Sequence, residues 1–557
     1  MKKYLIALMA LVATATVQAK IIKIAMSDGS HKIYSSSELS EINFNADGTA
    51  SVVSYDGKAL ATIDPTIDKI TIGDDEEIIK VTERTVSFDI SSSARYLAGI
   101  EGLDSIPTFY RDVTQMTFAY TSRDPYGDPT TLSGSIIIPQ DIMNGEVACD
   151  GIILYNHFTN SDNSWAPSNG FIMFESMYIA NPLNPRFIFV ESDLYGFGLS
   201  KRFPQAFIQG NANGYNSLDA LLAARRILDK MGMQYGNLLF NIGYSSGGYE
   251  ALVTQRCRDM YPEYKSQISF TKTFAGGAPS DLNECYKEIV KRDSIALTTM
   301  LALVITATNE TQRLGLDYNE LFQPEFGSRV DELVLSKKYS PFALEAAFGY
   351  GRKVHELLGN DYCQLTSISS KMMQNVMQQI NFYNGWEPDR TQKIFIMHMK
   401  DDDIIPQSTA TPLINYLKNH GMRTSIIPGV GNLQTNMDIS DMGHVAGVFP
   451  FGIQTLASMA TWSALYSEDG TMKPEWQTII AALMAGQTSF LFRGGDYESI
   501  IADLSSVMGM GSDEDLQATL MSLIQILQAM GMSDEEISSL FSGTGLSFLQ
   551  LLFGSDQ

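Results

Sequence analysis

Six short runs along the chain are apolar at nearly every position: GIILYNH (151–157), RFIFVES (186–192), NLLFNIGYS (237–245), FTKTFAG (270–276), KIFIMHM (393–399) and TSIIPG (424–429). Each ends in polar or glycine-rich residues, and helical stretches separate them. Strands that are apolar on both sides belong in a parallel sheet covered by helices on both faces. Between the second and third runs, NSLDALLAARRILDKMG gathers Leu218, Leu221, Leu222 and Leu228 toward one face, the pattern of such a covering helix. Upstream, residues 116–139 alternate polar and apolar positions around a Pro/Gly/Asp turn, which predicts an antiparallel hairpin leading into the sheet.

The same pattern divides the chain. Residues 1–19 place Lys2 and Lys3 before an apolar run and close on Val17, Gln18 and Ala19, which reads as a signal peptide. Residues 20–80 combine short strands and turn signals (SDG, ADG, YDG) into a β-rich module, with the acidic GDDEEII as a linker. The main domain is expected over 81–466. Between the fourth and fifth runs it carries an insertion, 283–390, far longer than an ordinary connection and expected to form a helical cap. Residues 467–557 are helical in pattern, acidic and rich in Met, a composition that fits core packing better than a binding surface.

Composition narrows the function. The formal charge of −24 over 557 residues repels phosphate backbones and anionic bilayers, so nucleic acid is not expected as a partner. After the leader no stretch reaches the ~20 apolar residues of a membrane span. An exported protein, periplasmic or extracellular, is the expectation. Cys149, Cys257, Cys285 and Cys363 have wide, irregular spacing without CxxC, which disfavours a zinc site. A Cys285 to Cys363 bridge inside the insertion and a set of buried free thiols are both open. HExxH and P-loop patterns are absent from the sequence, and no cofactor or metal is implied.

The chemistry centres on NLLFNIGYSSGGYEALV, where Gly243, Ser245 and Gly247 form GxSxG at the end of an apolar run. Small residues on either side let a serine sit on a tight strand-to-helix turn with its hydroxyl projecting. A serine hydroxyl is protonated at neutral pH, so it needs a base, and the base needs a carboxylate to fix its tautomer. Four histidines follow Ser245. His355 falls in a helical pattern of the insertion, His398 inside an apolar strand and His420 at a helix end; His444, in a glycine-flanked loop after the last strand, is the expected base. The acid is expected just beyond KIFIMHM, at Asp401, Asp402 or Asp403, and spacing does not choose among them. Ser246 is expected to donate its backbone N–H to the oxyanion, with Phe158 or Thr159 as the second backbone donor and His157 ordering that loop.

The segments SDLYGFGLS (192–200), GYSSGGYEA (243–251), HMKDDDIIP (398–406) and GH (443–444) resemble landmarks of α/β-hydrolase lipases and esterases, the secretory lipase family in particular, over about residues 86–466. The resemblance implies an α/β fold of the hydrolase type, a mostly parallel sheet with helices on both faces and an inserted helical cap. It also implies that Asp402 is the acid, since His398, Asp402 and Pro406 align with that family's histidine, aspartate and closing proline. Where the family commonly has a glycine after the histidine of the oxyanion loop, this chain has Phe158. The implied activity is cleavage of a small-molecule or lipid ester through Ser245, His444 and Asp402. A serine peptidase using the same residues and a non-catalytic binding protein on the same scaffold are the alternatives.

Overall fold

In the computed structural model, the described residues run from 20 to 465. The segments 90–107, 182–185, 350–351, 360–365, 425–431 and 441–442, and a few short turns before residue 76, are excepted. The expected leader (1–19) and C-terminal extension (467–557) lie outside the described residues.

The N-terminal strands β1 (Ile21–Met26), β2 (His31–Ser35), β3 (Leu39–Phe44), β4 (Ala50–Ser54), β5 (Ala59–Ile63) and β6 (Ile67–Ile72) form two three-stranded antiparallel sheets. They enclose a small core of their own, built on Ile22, Ile24, Leu39, Ile42 and Val52.

Nine strands make the main sheet, in the order β15-β14-β13-β12-β10-β11-β9-β8-β7. β7 (Glu76–Phe88), β8 (Phe109–Arg123) and β9 (Pro129–Pro139) are an antiparallel meander. β10 (Gly151–Asn156), β11 (Phe187–Ser192), β12 (Leu238–Tyr244), β13 (Lys272–Gly276), β14 (Ile394–Met397) and β15 (Leu433–Asn436) run parallel to one another. One expectation needs correction here. The acidic stretch taken as a linker opens β7, because Glu76 is buried and paired with Arg226 at 2.6 Å and Lys230 at 2.9 Å, partners some 150 positions away. The strand expected at TSIIPG lies mostly in the segment 425–431, outside the described residues, and the last parallel strand among the described residues is Leu433–Asn436.

The all-apolar runs follow from coverage on both faces. Along β10, Ile152 and Leu154 enter one core cluster while Ile153 and Tyr155 enter the other. The first cluster packs under α1 (Asn211–Lys230) and α2 (Ser246–Met260), with Leu218, Leu221, Leu228, Leu252 and Val253 facing the sheet. Helix α1 buries Leu218, Leu221 and Leu228, whereas Leu222 is only partly buried.

Between β13 and β14 the chain forms a run of helices that includes α3 (Leu282–Arg292), α4 (Thr299–Thr311) and α5 (Ile368–Gln379). Their apolar residues, among them Ile289, Leu301, Ile305 and Met377, belong to the same cluster as α1 and α2, so this insertion and the sheet share one core. It is also stitched to the loops beneath it. The buried Lys337 ammonium donates to the carbonyls of Gly196 (2.8 Å), Phe203 (2.5 Å) and Lys201. Ser161 Oγ donates to the Tyr339 carbonyl at 2.8 Å, and the Asn163 amide to the Lys337 carbonyl at 2.9 Å. On the opposite face of the sheet α6 (Val448–Leu465) packs Phe449, Phe451 and Met459 against Phe240, Phe274 and Phe395.

That second face also buries two acids, Glu175 and Glu191, near Tyr155 and Tyr178. Burial pushes Glu175 up to about 7 and Glu191 well above the usual carboxylate range. Between pH 4.5 and 7 the unfolded chain releases protons that the folded chain keeps, so folding stability should fall as pH rises through that window. Urea denaturation at pH 5 and pH 7 should show a drop of a few kcal/mol in the wild type and a smaller one in Glu175→Gln or Glu191→Gln; equal drops in all three would refute the assignment.

Candidate active site

The carboxyl ends of the parallel strands, where a sheet of this kind leaves its crevice, hold the expected residues. Ser245 follows β12 directly, at φ 60° and ψ −125°, a conformation that non-glycine residues rarely adopt. Its amide is held by the Gly276 carbonyl at 2.8 Å. The flanking glycines are sterically required. A Cβ at Gly243 would lie 2.0 Å from the Gly247 carbonyl oxygen, and one at Gly247 would lie 2.1 Å from the Asn156 carbonyl oxygen. Beneath the turn, Asn156 Nδ2 donates to Asn241 Oδ1 at 2.8 Å, and Asn241 Nδ2 donates to the Ala251 carbonyl at 2.8 Å, so buried amides lock β10, β12 and α2 together.

Ser245, His444 and Asp402 meet. His444 Nε2 lies 2.8 Å from Ser245 Oγ, and His444 Nδ1 lies 2.7 Å from Asp402 Oδ2. His444 is 4% exposed. Its backbone is pinned twice, the amide donating to Asp403 Oδ1 at 2.9 Å and the carbonyl accepting from the Tyr244 hydroxyl at 2.6 Å. Asp402 Oδ1 accepts from the amides of Ile404 (3.0 Å) and Ile405 (2.6 Å). Burial by itself would raise the pKa of this carboxyl, but the charges and hydrogen bonds of His444 and His398 outweigh burial and hold it well below the usual range. The group is ionised at neutral pH and faces the ring nitrogen that must keep its proton.

The three consecutive aspartates thus separate by partner. Asp402 faces the imidazole, Asp403 holds the histidine backbone and Asp401 is exposed. His398, expected inside an apolar strand, does more. Buried at the end of β14, it places Nε2 3.3 Å from Asp402 Oδ2 and 2.9 Å from the Ile405 carbonyl. With that carbonyl as acceptor, Nε2 carries the proton, and the ring stands beside Asp402 Oδ2. The roles of Asp403 and Tyr244 had no sequence signal beyond nearness to the motifs, and that of His398 only its alignment with the family's histidine. The other two downstream histidines stand away from Ser245: His355 pairs with Asp293 at 2.7 Å, and His420 accompanies the Tyr416 carbonyl at 2.8 Å.

The expected oxyanion donors border the same space. Ser246 opens α2, whose first-turn amides have no acceptor inside the helix. Phe158 and Thr159 line the cleft beside it, and Thr159 Oγ1 donates to Ser246 Oγ at 3.3 Å. His157 Nδ1 donates to the Phe158 carbonyl at 2.8 Å, in keeping with an ordering role for that loop.

The cleft over Ser245 measures about 1070 Å³ with its mouth and is lined mainly by apolar side chains. Phe174, Phe207 and Val448 come from the main domain, and Leu282, Ile289, Leu301, Val304, Phe342 and Met377 from the insertion. Cys285 also lines it as a free thiol whose pKa burial raises to about 12; Cys149 and Cys257 are free as well, and Cys363 lies outside the described residues. Among the described residues no group of three or more His, Cys, Asp or Glu side chains is placed to hold a metal ion. Nor is any described helix long and apolar enough to cross a membrane.

No family model matches the chain, and no curated protein matches it in sequence. Solved structures do match. A Legionella pneumophila protein, provisionally described as a hydrolase, superposes with a TM-score of 0.55 at 16% identity, covering 69% of this chain and 98% of its own. The rice cell wall degrading esterase LipA from Xanthomonas oryzae superposes with a TM-score of 0.53 at 16% identity, covering 68% of this chain and 96% of its own. At that identity the likeness speaks for architecture. A mostly parallel sheet with helices on both faces, a serine on the turn after β12 and near-full coverage of both structures establish that this chain has the α/β-hydrolase fold.

Proposed function

We propose that this protein is an exported serine hydrolase that cleaves carboxylic esters with an apolar acyl group. One observation carries the proposal: the Ser245–His444–Asp402 chain, with contacts of 2.8 and 2.7 Å, opens into a cleft lined by apolar side chains. In the first step His444 Nε2 takes the Ser245 proton while Oγ attacks the ester carbonyl. Asp402 balances the imidazolium that forms, and the Ser246 amide with that of Phe158 or Thr159 receives the oxyanion. His444 then protonates the departing alkoxide, and in the second step it activates water against the acyl-enzyme. That an esterase is among the structural neighbours supports the reading.

A fluorophosphonate probe should label the protein once, on the peptide carrying Ser245, as read by mass spectrometry. With p-nitrophenyl esters, kcat/KM should climb about fourfold for each added methylene, the equivalent of ~0.8 kcal/mol, until the cleft is filled. An unlabelled, inactive wild-type protein would point to a binding protein on a hydrolase scaffold. A preference for acetate over every longer ester would rule out the apolar acyl group.

A further inference from the structure

A second, smaller chamber lies behind the wall formed by Phe158, Phe207 and Ser246, on the far side from the cleft. Three polar side chains border it: His157, Asn160 and Glu250, which are 8%, 3% and 3% exposed. Glu250 lies one helical turn beyond Ser246 on α2, on the same face, and so looks toward the 157–160 loop. Each of the three has one buried atom without a partner among the described residues: His157 Nε2, Asn160 Nδ2 and Glu250 Oε2. Buried polar atoms in folded proteins are almost always hydrogen-bonded, through a water where the protein offers nothing.

His157 Nδ1 donates to the Phe158 carbonyl, and burial lowers this pKa against the opposing pull of that carbonyl and of the Asp193 carboxylate and backbone, so the ring is neutral and Nε2 is left as the acceptor. Asn160 Oδ1 already accepts from the Asp162 amide at 3.0 Å, which leaves Nδ2 as a donor. Burial pushes the Glu250 carboxyl well above its usual range, which favours the protonated form, and a protonated carboxyl is a second donor. Two donors and one acceptor facing one small chamber match one water molecule, which accepts twice and donates to the imidazole.

We propose that Glu250, His157 and Asn160 hold one buried water behind the oxyanion loop, and that this water fixes the aim of the Phe158 and Thr159 amides. The inference rests on the proposed hydrolase reading for its catalytic consequence, though not for the water itself. Glu250 is then a positioning residue. It braces, from the helix that carries the nucleophile turn, the loop that supplies the second oxyanion donor. The binding energy of the acyl group, which is made in the cleft, does not depend on it.

Two measurements test this on the full chain. A crystal structure of the wild-type protein should show a water within hydrogen-bond distance of all three atoms, and this holds or fails whatever the protein hydrolyses. On a short p-nitrophenyl ester, Glu250→Leu should lower kcat about 10- to 100-fold with KM within twofold, the scale of a misaimed oxyanion donor. Glu250→Gln, which still donates without charge, should recover most of that loss. Glu250→Met removes the donor with an unbranched apolar side chain of similar length and should lose kcat as Glu250→Leu does; it serves if the leucine variant does not fold. An unoccupied chamber in the wild-type crystal, wild-type kcat in folded Glu250→Leu or Glu250→Met, or a glutamine variant as impaired as the leucine variant would each overturn the proposal.

Discussion

Ser245→Ala is expected to lower kcat on an ester substrate by about 10⁶-fold, with KM nearly unchanged. In the proposed mechanism the hydroxyl is the attacking atom, and Ser246 Oγ, engaged with Thr159 one residue past the strained turn, does not substitute for it. Because the hydroxyl and the imidazole act as a unit, His444→Ala should cost about as much alone, and the double variant should cost no more than either single one. Steady-state rates with active-site titration would decide it. A Ser245→Ala protein within tenfold of wild type would remove Ser245 from the mechanism. The turn is fixed by Gly243, Gly247 and the Asn156–Asn241 amides, so the variant should retain its thermal stability.

Asp402→Asn should lower kcat by about 10⁴-fold, again with the fold intact. The amide it introduces can present N–H to His444 Nδ1, which favours the tautomer in which Nε2 carries the proton and cannot accept one from Ser245. In this protein the substitution disturbs a second ring too, since His398 Nε2 also faces Asp402 Oδ2. Asp403→Asn is the control. Its carboxylate accepts the His444 amide and does not touch the ring, so the loss should be no more than about tenfold, the cost of a weaker hydrogen bond. If the two variants were equally impaired, Asp402 would not be the residue that sets the tautomer.

How much of this could be read from the sequence depended on the range of the interactions. Five of the six runs correspond to β10–β14 and were legible because coverage on both faces demands apolar residues at every position. The serine turn was legible because close approach of α2 to β10 and β12 admits only glycine at 243 and 247. The choice of Asp402 over its neighbours came from a family pattern, since adjacent identical residues differ only in where the turn after β14 points them. His398 was missed for a like reason: the strand ends at Met397, and the next residue swings under a carboxylate four positions on. The opening of β7 was misread because the charges that permit Glu76 in a sheet, Arg226 and Lys230, sit in α1. A local reading sees an acidic segment and no partner.

The Lys337 anchorage has a consequence for how substrate preference can change. Its ammonium ties the insertion to the backbone at Gly196, Lys201 and Phe203, while Tyr339 and the Lys337 carbonyl tie the same stretch to Ser161 and Asn163, a few residues past the oxyanion loop. Roof and floor of the cleft are one mechanical piece. If the proposed mechanism holds, remodelling the roof to admit a different acyl group tugs on the loop assigned to the oxyanion, and selectivity and turnover become coupled traits that evolution, or an engineer, would have to adjust together.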